Sequence, residues 1–544
     1  MGKRLALIAS ATLVLAACGA PASLVSSERS DEIRPTALND DPFEPTTPTE
    51  VEVDVTTDPD DPDTAQTDPS TTTVTEPIVV DPDAIDFGAD KPERSYDDFL
   101  LAAVSDIDAW FTEEFPDAFG IAWEPLEGSV YAGYPERTDA LPGCGEAVTR
   151  YEDLQQFVAF YCPVGDFIVY DDGDEPIRFA DGTTLDPILF SLAAEFGPAT
   201  IGIVLAHEYG HAVQQRTGAL DRNLATVTTE QQADCIAGAW AGRAASGLAP
   251  GVPFTDADIR AGLISMITVQ DPVGTDPTAP GGHGSGFDRV GAFQVGFRDG
   301  LARCAELIDD PLPITPLQFL GEQDFQSGGN ATFGFDEANA ELFSFLVPDL
   351  NLLYDNDLDV AFPNFEQLEL VPTQTEAEVV CANPVGVYDD GIVLCLESNT
   401  AFLNEPVARQ LYDDFGDFGP GYILGIAWAE AAQISANSTA TGEERQLRND
   451  CLTGNWVRTV IPELDANGNL VIVTDPTTGE NRILLPEPRD PGRTASISPN
   501  DLTEAIQTAI LIGDLSQDEN INGSAFEKID AFRQGILNGI TACT

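Results

Sequence analysis

The pentapeptide H-E-Y-G-H at His207–His211 combines two imidazoles and a carboxylate that suit metal-assisted hydrolysis. On a helix, His207 and His211 stand at i and i+4 on one face, where they can share a single cation. Glu208 is rotated by about 100° from His207, so it lies beside the cation and within reach of a bound water. The spacing predicts one catalytic Zn²⁺, with Glu208 as the general base for hydrolysis of a peptide or protein substrate.

A catalytic zinc also needs a third protein ligand and one open position. Downstream, Glu230-Gln-Gln-Ala-Asp234 offers carboxylates at i and i+4 on a second predicted helix, which runs through Cys235 to about Ala244. We assign Glu230 to the metal, and Asp234 to a hydrogen bond that fixes the tautomer of a ligand imidazole. In a chain with 92 acidic residues, a solvated acidic helix face is the alternative.

The chain has only three histidines, and two of them are the predicted ligands. The third, His283, lies in the segment Gly281-Gly-His-Gly-Ser285. A lone histidine in such a loop is usually a surface residue. The other interpretation is that His283 lines the cleft as a catalytic residue and stabilises the oxyanion.

Helices and a small sheet must position these side chains. Gly197-Pro198 is typical of a helix start and Gly218 of a helix end, so the sequence predicts one helix that begins at Gly197-Pro198 and ends after Thr217. The stretch from Phe167 to Tyr170 predicts a strand. The expected fold class is α+β, with the sheet packed on the two ligand-bearing helices.

Five blocks, within roughly residues 95–305, resemble the bacterial neutral zinc metallopeptidases. The blocks are Phe160-Tyr-Cys-Pro163, Ile168-Val-Tyr-Asp171, the run from His207 to Gln214, Gln232-Ala-Asp-Cys-Ile-Ala-Gly-Ala-Trp-Ala241, and His283-Gly-Ser285 followed by Arg289. The resemblance implies a zincin-like fold with Glu230 as third ligand. The chain departs from the family at Gln231, where an apolar residue is usual.

Two segments of the chain are similar enough to predict an internal duplication. Phe287–Cys304 aligns without a gap with Phe526–Cys543, and Asp234–Trp240 matches Asp450–Trp456. Phe196-Gly-Pro198 likewise matches Phe418-Gly-Pro420. Convergence on a helical pattern does not explain Cys, Trp, Gly and Pro in the same order.

The predicted second copy lacks the metal ligands. The H-E-x-x-H positions become Ala429, Glu430, Ala431, Ala432 and Gln433, the third-ligand position becomes Gln446, and the His283 position becomes Asn522. Without imidazoles the remaining carboxylates hold zinc weakly. We therefore expect residues 371–544 to be a degenerate, non-catalytic copy of the metallopeptidase domain at 91–310, joined to it by residues 311–370.

The duplication also predicts the disulfides. Removing Cys18 from the nine cysteines leaves eight, four in each copy. The simplest pairing that repeats is Cys144–Cys162 and Cys235–Cys304 in the first copy, and Cys381–Cys395 and Cys451–Cys543 in the second. Disulfides fit an exported chain.

The N-terminus predicts export. Lys3 and Arg4 precede an apolar run, and Leu15-Ala16-Ala17-Cys18 resembles a bacterial lipobox, so residues 1–18 read as a signal peptide with lipidation at Cys18. Residues 19–90, rich in Asp, Thr and Pro, are predicted to be a disordered tether. No later run reaches the ~18 apolar residues of a membrane helix, so the lipid is the only expected membrane contact of this extracytoplasmic protein.

The net charge of −67 excludes nucleic acid as a partner, because the field of the whole molecule repels a polyanion. No D-x-D-x-D-G calcium loop is present, so the acidity indicates a solvated surface.

Two other functions stay open. One is a non-catalytic cell-surface binding lipoprotein with a structural zinc, which would need a fourth protein ligand such as Asp234 or His283. The other is hydrolysis of a cell-wall amide in place of a peptide bond.

Overall fold

The computed structural model describes residues 80–145, 151, 158–178, 184–185, 187–276, 279, 281–465, 469–474, 481–514 and 522–543. The predicted signal peptide, Cys18 and nearly all of the predicted tether lie outside these ranges. Within them, no helix is both long enough and apolar enough to cross a membrane.

The described ranges contain α-helices in both halves of the chain. In chain order they are α1 Asp97–Phe119, α2 Ile188–Phe196, α3 Ala199–Thr217, α4 Thr226–Ala245, α5 Asp256–Thr268, α6 Gly286–Glu306, α7 Glu322–Ser327, α8 Leu342–Leu352, α9 Glu405–Phe415, α10 Phe418–Ser435, α11 Gly442–Arg458, α12 Asp501–Ile512 and α13 Ala525–Asn538. The strands are β1 Ile85–Asp86, β2 Val130–Gly133, β3 Ala159–Cys162, β4 Phe167–Asp171, β5 Ile177–Arg178, β6 Thr184–Leu185, β7 Glu369–Thr373, β8 Ile392–Cys395, β9 Thr400–Asn404, β10 Ile472–Thr474 and β11 Asn481–Ile483. The predicted α+β class is confirmed.

A four-stranded sheet in the order β1-β2-β4-β3 lies beside the predicted site helix. β2 runs parallel to β4, and β3 pairs antiparallel with β4 with Phe160 opposite Val169. The predicted strand from Phe167 to Tyr170 is β4, and its apolar residues are buried. β1 corrects the boundary of the predicted tether: Ile85 is buried in the core, so the ordered chain begins before residue 90.

The helix predicted between Gly197-Pro198 and Gly218 forms as α3, which begins at Ala199 and ends at Thr217. It ends at Gly218, whose φ of 74° is the left-handed conformation that glycine adopts without strain. Every residue of α3 from Ala199 to Gln214 is buried. A helix surrounded by apolar groups can keep its polar side chains from water, which a metal site requires.

The second ligand-bearing helix, α4, packs so closely on α6 that the backbones touch. A Cβ atom added to Gly238 would lie 1.9 Å from the Phe293 carbonyl oxygen, and one added to Gly296 would lie 1.7 Å from that of Cys235. The Cys235–Cys304 disulfide joins the same two helices. The glycines and the disulfide therefore fix α4 against α6.

The second half repeats this arrangement. Its sheet has the order β7-β9-β8, with β7 parallel and β8 antiparallel to β9. α11 and α13 meet through glycines as α4 and α6 do, since a Cβ atom on Gly454 would lie 1.9 Å from the Phe532 oxygen and one on Gly535 would lie 1.9 Å from the Cys451 oxygen. The two halves thus share strand order and helix packing.

A buried tryptophan and a buried aspartate occur at matching places in both halves. Trp240 Nε1 donates to Asp106 Oδ2 at 3.0 Å, and Trp456 Nε1 donates to Asp349 Oδ1 at 3.0 Å. Asp349 lies on α8, inside the segment 311–370 predicted to be a connection. That segment therefore supplies part of the core of the second half, because the buried indole needs an acceptor.

All four predicted disulfides are present, with Cα–Cα distances of 5.7, 5.5, 5.6 and 5.4 Å. Disulfides persist in oxidising surroundings, which the four bonds indicate for this chain. The halves also contact each other directly: Gln294 Nε2 donates to the Phe526 carbonyl at 2.9 Å, and Arg533 stacks on the Phe287 ring. Together they form one compact unit.

Candidate metal centre

The structure brings His207, His211 and Glu230 together. Glu230 Oε2 lies 3.3 Å from His207 Nε2, and its Oε1 lies 3.6 Å from His211 Nε2. One ligand atom from each residue falls within 4.8 Å of the other two. The side chains come from α3 and α4, as the sequence predicted.

These three side chains are buried. Two of their polar atoms, His211 Nε2 and Glu230 Oε2, have no hydrogen-bond partner among the described residues. The 3.3 Å approach of Glu230 to His207 is an ion-pair distance without hydrogen-bond geometry at Oε2. A buried polar atom without a partner costs free energy, so the site suits a cation between the atoms. Two imidazole nitrogens and one carboxylate are a donor set that zinc prefers.

Hydrogen bonds orient both imidazoles. His207 Nδ1 lies 2.8 Å from Asp234 Oδ1, the predicted role of that residue. His211 Nδ1 lies 3.0 Å from Gln214 Oε1, and Gln214 Nε2 donates to the Thr229 carbonyl at 2.6 Å. With each Nδ1 engaged, both Nε2 atoms are left for a metal. The role of Gln214 was not predicted, although it ends the block that begins at His207.

Arg289 holds Asp234 from the other side. Its Nε and a terminal nitrogen contact the two carboxylate oxygens at 3.0 and 2.7 Å. Both residues are buried, and this bidentate pair keeps the carboxylate ionised and fixed. Burial alone would raise the pKa of Asp234, but the charges and hydrogen bonds of Arg289 and His207 together outweigh it, so the pKa is lowered. Arg289 lies in one of the sequence blocks that resemble the metallopeptidase family, but the sequence analysis predicted no role for it.

The charges of the site favour a bound cation. Burial opposes a proton on His207, but the carboxylates of Asp234 and Glu230 together outweigh it and raise the pKa of His207 to about 10. Burial would raise the pKa of Glu230, yet the neighbouring His211 and the other two histidines lower it well below its usual range. Glu230 is therefore an anion, and the metal-free site attracts positive charge.

Glu208 lies on α3 beside the three ligands. It is 3 % exposed, and its Oε2 has no hydrogen-bond partner. Burial raises its pKa, partly offset by His207 and His211 and by a hydrogen bond from the backbone of Tyr161 on β3. A carboxylate with increased proton affinity is suited to accept a proton from water.

His283 is buried at 3 % exposure, so the surface interpretation of this residue is wrong. Its Nδ1 lies 2.9 Å from Asp271 Oδ1, while the backbone N–H groups of His283 and Gly284 donate to Asp271 Oδ2 at 2.7 and 2.8 Å. Its Nε2 has no hydrogen-bond partner among the described residues. Asp271 thus holds the imidazole with Nε2 available. No signal in the sequence marks this aspartate, because nothing in its spacing distinguishes it.

Gln231, where the chain departs from the resembling family, is buried next to Glu230. Its Nε2 donates to the Leu312 carbonyl at 3.2 Å. The amide therefore ties α4 to the segment after α6 and is not a metal ligand.

The counterpart of this site in the second half is occupied by hydrogen bonds within the protein. Arg445 Nε contacts both oxygens of Glu430 at 2.8 and 2.9 Å. Gln433 Nε2 donates to Asn449 Oδ1 at 2.6 Å. Asn522 contacts Asp514 through its backbone N–H and its amide at 2.7 and 3.1 Å, as His283 contacts Asp271.

Comparison with known proteins finds relatives in two Mycobacterium species. Proteins described as uncharacterized from Mycobacterium tuberculosis strains H37Rv and CDC 1551 and from Mycobacterium bovis are 32 % identical to this chain over 178 residues. The match covers 29 % of this chain and 55 % of each relative, so the chain spans about half the length of the curated relatives it matches. No family model and no solved structure matches the chain.

Proposed function

We propose that this protein is a zinc-dependent metallopeptidase, with His207, His211 and Glu230 as the metal ligands and Glu208 as the general base. The observation that supports it most is the convergence of three buried ligand side chains within 4.8 Å, with His211 Nε2 and Glu230 Oε2 lacking partners. Three protein ligands leave a coordination position for water and substrate, as catalysis requires.

Each residue of the site has a role in amide hydrolysis. A bound zinc ion would polarise the scissile carbonyl and lower the pKa of the attacking water. Glu208 accepts the proton of that water and passes it to the leaving amine. In its imidazolium form, His283 would donate from Nδ1 to Asp271 and from Nε2 to the oxyanion of the tetrahedral intermediate. Asp234 and Gln214 keep the two ligand imidazoles in their binding orientation.

We further propose that the protein is exported and lipid-anchored at Cys18, with a tether that carries the folded part away from the membrane. The four disulfides support an extracytoplasmic location. The lipobox sequence supports the anchor.

The two halves arose, in this proposal, by duplication of a zincin-like domain, and the second copy lost its metal. The shared strand order, the glycine contacts and the paired tryptophan–aspartate bonds support a common origin. The second copy acts without catalysis, because its ligand positions hold Ala429, Gln433 and Gln446.

The test is the pair Glu208→Gln and Glu430→Gln, which removes a carboxylate from the same position of each half. Zinc content after dialysis is measured by atomic spectroscopy, and turnover is measured on casein with and without chelator. We expect E208Q to retain zinc and to lose about 100-fold to 10,000-fold in turnover, while E430Q keeps both.

Three results would contradict the proposal. Wild-type protein that binds zinc but cleaves neither casein nor a peptide library would favour the binding lipoprotein with a structural zinc. Activity that survives in E208Q would exclude Glu208 as the base. Cleavage of cell-wall amides alone would keep the mechanism and change the substrate.

A further inference from the structure

Three carboxylates meet in the second half, away from the metal centre. Asp417 precedes α10, and Asp501 and Glu504 lie on the first turn of α12. One oxygen from each lies within 4.8 Å of the other two. Their exposures are only 6, 5 and 1 %.

Hydrogen bonds fix each carboxylate while leaving oxygens available. Asp417 Oδ2 accepts from the Ala331 N–H at 2.7 Å, and Asp501 Oδ2 accepts from the Ser498 N–H at 2.9 Å. The other oxygen of each, Oδ1, receives no hydrogen bond from a donor of the described chain. Asp417 and Asp501, both more than nine-tenths buried, therefore each keep one oxygen without a hydrogen-bond partner among the described residues.

Glu504 completes the cluster through a close backbone approach. Its Oε2 accepts from the Phe418 N–H at 2.8 Å. A Cβ atom added to Gly416, whose φ is 121°, would lie 2.1 Å from Glu504 Oε1. Only glycine gives the carboxylate this space, so the local backbone is shaped around it.

The cluster differs from the other buried acids of the described chain, which have a cation beside them or belong to the metal centre. The pairs are Asp106 with Arg243, Asp172 with Lys91, Asp234 with Arg289, Asp349 with Arg493 and Asp450 with Lys528, and Arg533 acts on Asp288. At the cluster, burial raises the pKa of all three carboxyls, and the main added charges are those of the cluster itself and of Asp324. Buried carboxylates this close together, with no cation beside them, are stabilised by a bound cation or by protons that they share.

We propose that Asp417, Asp501 and Glu504 form a calcium site. The donors are all oxygens, the set that Ca²⁺ prefers. Calcium binds oxygens at about 2.3–2.6 Å, so ligands of one ion lie within about 5 Å of each other, as these do. A cavity of about 600 Å³ lined by Asp324, Asp417 and Asp501 gives room for the waters that complete its coordination.

A calcium ion at this cluster would stabilise the packing of the second half against the first half. On α12, Thr503 Oγ1 lies 3.2 Å from Gln270 Oε1, which also accepts from the Gly286 N–H at 2.8 Å. Gln270 directly precedes Asp271, the residue that holds His283. Cation binding at the start of α12 therefore supports the loop that carries His283.

The test uses the full chain and Ca²⁺ alone, followed by equilibrium dialysis and thermal unfolding. Wild type is compared with D501N/E504Q and with the control E376Q/E378Q, which removes two exposed acids from the same half. We expect one tight Ca²⁺ per wild-type chain above the weak binding of an acidic protein, together with a raised Tm. D501N/E504Q loses that ion and the Tm shift, and the control keeps both.

Identical calcium binding and identical Tm shifts in all three proteins would overturn the proposal, and the cluster would then hold shared protons. The amides of D501N/E504Q remove buried negative charge, so this variant should fold without calcium. A missing calcium-dependent Tm shift in D501N/E504Q would therefore not be explained by unfolding of the variant. Zinc content and casein turnover, measured in parallel, separate this result from the outcome at the metal centre.

Discussion

At the candidate metal centre of the first half, His211 Nε2 and Glu230 Oε2 are buried and have no hydrogen-bond partner among the described residues. At the corresponding place in the second half, Gln433 donates to Asn449, and Glu430 accepts from Arg445. The strands, helices and glycine contacts around the two places are alike. The same scaffold therefore accommodates two arrangements, one with polar atoms that lack partners and one with polar atoms paired inside the protein. Only the first leaves atoms available to bind a metal.

The largest effect is expected when the first half is given a residue of the second. His211→Gln copies Gln433 and removes one of the three ligands. We expect zinc to be lost on dialysis and turnover to fall to background, with the fold retained because the scaffold already accepts glutamine at this place. Zinc analysis, casein digestion and circular dichroism check this. Full zinc occupancy in H211Q would mean that His211 is not a ligand.

A smaller loss is expected from His283→Ala, for which Asn522→Ala is the matched control. Both side chains are held by an aspartate in the same way, but only the half that contains His283 has the proposed ligands His207, His211 and Glu230. Removing one oxyanion donor costs about 100-fold to 1,000-fold in kcat, whereas N522A should leave kcat unchanged. Equal kcat in H283A and wild type, measured on a peptide substrate, would remove the oxyanion role.

The shared scaffold can be tested by stability alone. Gly238→Ala and Gly454→Ala each place a methyl group 1.9 Å from a backbone oxygen, in the first and second half respectively. Overpacking costs about 1–3 kcal/mol or more, so both variants should unfold at lower denaturant concentration. Gly321→Ala meets no atom within 4 Å and should be near neutral. A G454A variant as stable as G321A would break the likeness of the two helix pairs.

The last prediction concerns pH and the carboxylate cluster of the second half. Burial, with neighbouring carboxyls, raises the pKa of Asp417 to about 7 and raises the pKa values of Asp501 and Glu504 well above their usual range. The folded state then holds protons that the unfolded state releases above about pH 4. In calcium-depleted buffer, the free energy of unfolding should therefore fall as pH rises from about 4 to 7, by up to about 1.4 kcal/mol per pH unit for each proton retained.

The comparison protein for this measurement is D501N/E504Q, whose stability should change less over the same range. Urea unfolding at several pH values gives both curves. Parallel curves would show that the cluster does not titrate with a raised pKa. Added calcium should remove the loss in wild type alone, because the ion replaces the protons.

What the sequence could predict follows from local spacing and from the repeat. The bounds of α3 follow from Gly197-Pro198 and Gly218, and the ligand geometry follows from the i, i+4 spacing of His207 and His211. The disulfide pairing followed from symmetry between the halves. These features depend on neighbours along the chain or on a second copy of the same pattern.

The rest depends on contacts between distant segments. Asp271 reaches His283 across a turn of the chain, and Asp349 on α8 was placed in a connection because a short apolar helix gives little periodicity. Asp417 and Glu504 lie 87 residues apart, so no calcium-loop pattern marks them. The strand β1 has two residues, too few for a period to be seen beside an acidic tether.

The Cys235–Cys304 bond spans 69 residues, and these include Asp271, His283 and Arg289. An active peptidase, as proposed for this protein, would be exposed to its own cleavage, and any single backbone cut between these cysteines would leave both fragments covalently joined. The Cys451–Cys543 bond gives the segment with Asp501 and Glu504 the same protection. Self-nicked molecules would therefore keep their site residues, migrate as intact chains on a gel without reductant, and separate into pieces only after reduction.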